Sequence, residues 1–128
     1  MKIMKIVNNA LFATVLTVIA VGLYGCGKKG PEQYGRQLSG HNTTQLKSIL
    51  NEPESFQDKE VAVEGKIVRE CMSGCWFDVE AEGGWIHVDV DPSGFAIPQK
   101  VGSEVVVEGQ ITVQDGSAVL VGKGVEIK

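Results

Sequence analysis

Two segments of this chain carry the same strand signature. Glu60 to Val68 reads EVAVEGKIV and Glu104 to Val113 reads EVVVEGQITV, so valine or isoleucine alternates with polar or small residues in both. A period of two is the pattern of a strand with one buried face. Each copy is interrupted by a glycine, Gly65 or Gly109, and a glycine inside an otherwise strong strand marks a bulge or a sharp bend. Such bends let a small sheet coil and close on itself. Two strands of this kind therefore direct the chain towards a closed all-β architecture.

The rest of the pattern agrees. Phe77 to Glu80 and Trp85 to Val90 flank a turn at Gly83-Gly84, with Ile86, Val88 and Val90 alternating. Asp115-Gly116 is a second hairpin signal, leading into Ala118 to Val121 and Val125 to Ile127, which Gly122-Lys123-Gly124 either extends or bends. Upstream, Thr43 or Thr44 is the expected cap of a short helix, TQLKSIL. Its Leu46, Ile49 and Leu50 recur at helical spacing until Pro53 stops the pattern, and Phe56 is expected to sit beside it. Three strands, a connection over PSGFAIPQKVG and two more strands predict a five-stranded Greek-key barrel of the OB type over residues 44–128.

Through LKSILNEPESFQDKEVAVEGKIV, CMSGCW and EVVVEGQITV the chain resembles an uncharacterised family of bacterial secreted OB-fold lipoproteins with a Cys-x-x-x-Cys-Trp motif, related to the tRNA-anticodon-binding-like OB domains. The resemblance implies the barrel and export. It names no substrate.

The N-terminus points the same way. Lys2 and Lys5 precede an apolar run from Ala10 to Tyr24, the layout of a secretory signal peptide, and the run is shorter than the roughly 20 residues of a spanning helix. Leu23-Tyr24-Gly25-Cys26 resembles a bacterial lipobox, so residues 1–25 are expected to be removed and Cys26 to be lipidated. The acyl chains would hold the protein at a membrane, facing periplasm or exterior. Gly27 after Cys26 favours the outer membrane in a Gram-negative cell. Gly27 to Thr44 reads GKKGPEQYGRQLSGHNTT, rich in glycine and without apolar periodicity, so residues 26–43 are expected to be a flexible tether in which His41 is a solvated residue.

The net charge is −4, and loss of Lys2 and Lys5 makes it more negative. An acidic domain repels phosphate backbones, and Glu64, Glu70, Asp78, Glu80, Glu82, Asp89 and Asp91 crowd the region of the aromatic groups Trp76 and Trp85. No nucleic-acid partner is therefore expected. No Ser-His-Asp order, phosphate loop or zinc-hydrolase motif appears, and carboxylates alternating with valine are what a solvated sheet face needs. The chain is not expected to be an enzyme.

What remains is Arg69 to Asp78, RECMSGCWFD. With Met72-Ser73-Gly74 as a three-residue loop, Gly74 takes the left-handed position, and Cys71 and Cys75 oppose each other across the ladder. Opposed alpha carbons sit about 4.5 to 5.5 Å apart, inside the window of roughly 4.4 to 6.8 Å that a disulfide accepts. Two readings stay open. In one, an oxidised Cys71-Cys75 bridge shapes the rim Cys71, Met72, Cys75, Trp76 for a protein or small-molecule ligand, with no cofactor. In the other, Cys71 and Cys75 thiolates bind copper or zinc, with Met72 adjacent and His87, the lone histidine of the barrel, as a further ligand. A redox pair is less expected, because reactive dithiols usually have two-residue spacing and a helix N-terminus that acidifies one thiol. Covalent haem is disfavoured, since Trp76 rather than histidine follows Cys75.

Overall fold

The computed structural model describes residues 30–40 and 42–128, and everything below concerns those residues. The proposed signal peptide, Cys26 and His41 lie outside them. No helix among the described residues is long and apolar enough to cross a membrane.

The elements in chain order are β1 (Glu32–Gly35), α1 (Leu46–Asn51), a 3-10 turn at Pro53–Phe56, β2 (Glu60–Glu70), β3 (Trp76–Ala81), β4 (Gly84–Asp89), β5 (Glu104–Gln114) and β6 (Ser117–Ile127). The sheet runs β1-β6-β4-β3-β2-β5, and β6 also pairs with β5. That second pairing closes β2 to β6 into a five-stranded barrel. All neighbours are antiparallel except β4 and β6, which run parallel through His87 to Asp89 and Val119 to Val121. This is the topology of the OB fold, as the strand count and connection led one to expect.

Closure works through the two glycines. β2 pairs with β5 from Glu60 to Lys66 and with β3 from Lys66 onward, so Gly65 lies where the strand changes partners. A side chain there would run into the Glu80 carbonyl, and one at Gly109 would run into the Val121 carbonyl. At Gly109 the β5–β6 register slips by one residue, with Lys123 of β6 left out of the register, which bends β6 around the barrel. Inside, the alternating residues meet. Val61, Val63, Ile67, Phe77, Val79, Ile86, Val88, Val105, Val107, Ile111, Leu120 and Val125 are all buried, with Leu46 and Ile49 of α1 covering them. The Gly122-Lys123-Gly124 segment extends β6 rather than ending it.

Two local expectations are corrected. Helix α1 begins after Gln45 with no side-chain cap. The Thr44 N–H instead donates to the Ala62 carbonyl at 2.7 Å, so tertiary pairing takes the residue that local logic assigns to capping. In the stretch read as a tether, Glu32–Gly35 forms strand β1 against Val125 to Ile127 of β6. Its ladder is fed by a distant edge, so the segment carries no pattern of its own. Beyond it, the buried Glu108 carboxylate accepts from Ser39 N–H (3.0 Å) and Ser39 Oγ (2.9 Å), with the Arg36 guanidinium 3.5 Å away. This satisfies a carboxylate that would otherwise be costly to bury.

Because the Gly109 position is filled by backbone, Gly109→Ala is expected to cost about 1–3 kcal/mol in urea unfolding. Gly30→Ala, which meets nothing within 4 Å, is expected to be near neutral.

Candidate functional site

The β2–β3 loop is built by a bulge. Ile67 pairs with Val79, and that register carried onward would set Cys71 opposite Cys75. Val68 is instead an extra residue, so Arg69 faces Asp78 and Glu70 faces Phe77. The expected three-residue loop thus becomes a five-residue loop from Cys71 to Cys75, with Cys71 N–H donating to the Trp76 carbonyl at 3.0 Å. Gly74 adopts φ 72°, the left-handed conformation expected of it.

The two sulfurs meet nonetheless. Cys71 Sγ and Cys75 Sγ are 3.2 Å apart as free thiols, and the Ser73 hydroxyl lies 3.1 Å from the first and 3.4 Å from the second. The loop backbone is pinned from the β4–β5 connection. Gln99 Nε2 donates to the Cys71 carbonyl at 2.8 Å and to the Met72 carbonyl at 3.2 Å, and Ile97 N–H donates to the Gly74 carbonyl at 3.1 Å. Val90 N–H holds the Cys75 carbonyl at 3.1 Å. Met72 is left 96% exposed at the tip. Hydrogen bonds from the Ser73 hydroxyl first, then from the Cys75 thiol, lower the Cys71 thiol from its ordinary value to about 7.

Below the loop, the bulge creates a second cluster on the outer face. Asp78 is directly opposite His87 in the β3–β4 ladder and opposite Arg69 in the β2–β3 ladder. Its carboxylate, 5% exposed, accepts from Arg69 Nε and makes a hydrogen bond with His87 Nδ1, both at 2.8 Å. The Arg69 guanidinium also lies over the Trp85 ring, 4.6 Å from its centroid, and the Trp76 ring is 5.1 Å from the His87 ring. Trp76 therefore links the cysteine loop to this row. A cleft of about 230 Å³ opens beside it, lined by Trp85, His87, Leu50, Pro53, Ser117 and Val119 among others. A larger cleft of about 370 Å³, at the start of α1 beside Thr44, Lys47, Glu64 and Glu82, holds no aromatic ring or cysteine.

The structure brings Cys71 and Cys75 together, leaves Met72 in solvent and turns Trp76 to His87. Among the described residues no group of three or more His, Cys, Asp and Glu side chains is placed to hold a metal ion. His87, a further ligand in the metal reading, has its Nδ1 hydrogen-bonded to Asp78. The alternation of Ile86, Val88 and Val90 leaves Trp85, His87 and Asp89 on the opposite, outward face, but it gives no sign of the Arg69–Asp78–His87 row. Alternation alone gives no sign of the Val68 bulge that aligns Arg69.

Asp78→Asn removes the charge that both partners share, and is expected to lower stability by about 2 kcal/mol in urea unfolding. Glu80→Gln, on the exposed side of the same strand, is expected to stay within about 0.5 kcal/mol.

No family model matches the chain, and no curated protein matches it. Among solved structures, the hypothetical protein YgiW from E. coli is similar, with 20% identity and a TM-score of 0.55 over 74% of this chain and 99% of that one. At that identity the similarity is one of fold, and it agrees with the OB-type barrel.

Proposed function

We propose that this protein is an OB-fold binding module, lipid-anchored outside the cytoplasm through Cys26, whose first hairpin presents the ligand rim. The observation that carries the reading is the pinned loop from Cys71 to Cys75, with its two sulfurs 3.2 Å apart and Trp76 joining it to the outer face. In OB barrels the loop between the first two strands and the face of the second and third strands are where ligands bind. Here those are the cysteine loop and the surface of Trp76, Trp85 and His87.

In an oxidising compartment two thiols this close form a disulfide unless a metal or a reductant holds them. The bridge closes a loop of only five residues, so its stabilisation is small, on the order of 2 kcal/mol at most. Its role is to shape the rim for a protein or small-molecule ligand. The acidic charge of −4 speaks against nucleic acid as that ligand. The copper or zinc alternative has the two thiolates, with Met72 and His87 as its further candidates; among the described residues no group of three or more His, Cys, Asp and Glu side chains supports it.

Intact mass without reductant is the decisive measurement. Protein isolated from the envelope is expected to lack both thiol hydrogens and to alkylate at neither Cys71 nor Cys75. Free thiols that take up one Cu(I) per chain, with uptake abolished by Cys71→Ser, would replace the bridge by the metal site. For the anchor, labelled palmitate is expected in the wild-type protein and absent from Cys26→Ser, which should leave the membrane fraction; retention of label would refute lipidation at Cys26.

A further inference from the structure

We propose that the Cys71–Cys75 loop is a reversible thiol–disulfide exchange site, with Cys71 as the attacking sulfur and Cys75 as the resolving one. The inference rests on the bridge described above being formed, and adds that it is made and broken in use. Three observations carry it. The sulfurs are already 3.2 Å apart, so a bond of about 2.05 Å needs only a small side-chain movement. Gln99, Ile97 and Val90 hold the loop backbone from outside the loop, so the same frame serves both redox states. The Ser73 hydroxyl lies against both sulfurs, 3.1 Å from Cys71 and 3.4 Å from Cys75, where it can donate to whichever carries negative charge.

That hydroxyl supplies what the sequence lacked. Reactive dithiols commonly acidify one thiol at a helix N-terminus. Here the loop hydroxyl and the second thiol do so, and the Cys71 thiol is lowered to about 7. Charged groups beside the loop include Glu70, whose Oε1 accepts Lys100 N–H at 3.0 Å, Lys100, whose ammonium pairs with Glu32 at 3.2 Å, and Asp89, opposite Trp76 in the β3–β4 ladder.

The chemistry balances. Cys71 thiolate attacks one sulfur of a partner disulfide, forms a mixed disulfide and expels the other partner sulfur as a thiolate, which takes up a proton. Cys75, losing its proton to solvent, then attacks Cys71 Sγ. The Cys71–Cys75 bond forms, the mixed bond breaks, and the second partner sulfur leaves. The partner disulfide is reduced by two electrons and the loop is oxidised by two. Reaction of the bridge with a partner dithiol runs the steps backward.

The test uses the full chain in detergent with Cys26→Ser, reduced and desalted, mixed with oxidised glutathione and followed by intact mass. The loop is expected to oxidise with no lasting adduct. Added Cys75→Ser should stop at a stable glutathione adduct on Cys71. Added Cys71→Ser should react roughly fivefold more slowly near neutral pH, the thiolate gain being partly offset by lower nucleophilicity. Ser73→Ala should move the half-maximal rate to higher pH. A disulfide-linked peptide run alongside separates the sources. A preference for the peptide supports a protein partner, a preference for glutathione supports a small thiol, and either supports exchange.

An adduct as durable in the unsubstituted loop as in Cys75→Ser would overturn the proposal. So would a bridge, present in air-oxidised protein, that excess reduced glutathione leaves intact; that result would leave the structural bridge of the binding module standing. Free thiols after air oxidation would instead remove the bridge itself.

Discussion

Strand β6 has to be paired along both edges. One edge meets β5 along its whole length, while the other meets β4 through Val119 to Val121 and then β1 through Gly124 to Ile127. An exposed edge is a row of unpaired N–H and C=O groups, and closure removes it. A five-stranded sheet closes only if its long strands coil, and β2 and β5 do so at Gly65 and Gly109, where other backbone occupies the space of a side chain. The buried valines then face one another across a small interior. Every other feature of the molecule, including where the β2–β3 loop emerges, follows from that closure.

The bulge at Val68 decides the chemistry of the outer face. One extra residue moves Cys71 and Cys75 out of the ladder and into a loop, and it aligns Arg69 with Asp78. The sulfurs still meet beside Ser73 in that loop, while the ladder below gains a buried carboxylate between a guanidinium and an imidazole. The carboxylate accepts charge-assisted hydrogen bonds on both oxygens, which offsets its burial. Trp76 is the junction, following Cys75 in sequence and packing its ring, tilted by 40°, against His87 in space.

Much of the barrel was legible because its signals are local. Alternating valine gives the strands, Asp115-Gly116 gives a tight hairpin in which both residues have positive φ, and Gly74 marks the left-handed turn of the cysteine loop. The nearness of Cys71 to Cys75 was legible too, through their spacing. What was not legible depends on partners far along the chain. Glu32–Gly35 is a strand only because β6 offers it an edge, and the Thr44 N–H is drawn to Ala62 rather than to a helix cap. His87 was correctly placed on the outward face, but its partner Asp78 required the register of three strands.

By itself the sequence determined the closed all-β class, the strands that form it and the nearness of two cysteines around a turn, because these rest on periodicity and on single residues with unusual backbone freedom. Only the tertiary structure decided the register. A one-residue shift at Val68 leaves the hydrophobic pattern almost unchanged, yet it selects which polar groups meet, and so whether a charged row, a pinned dithiol or neither is displayed on the surface.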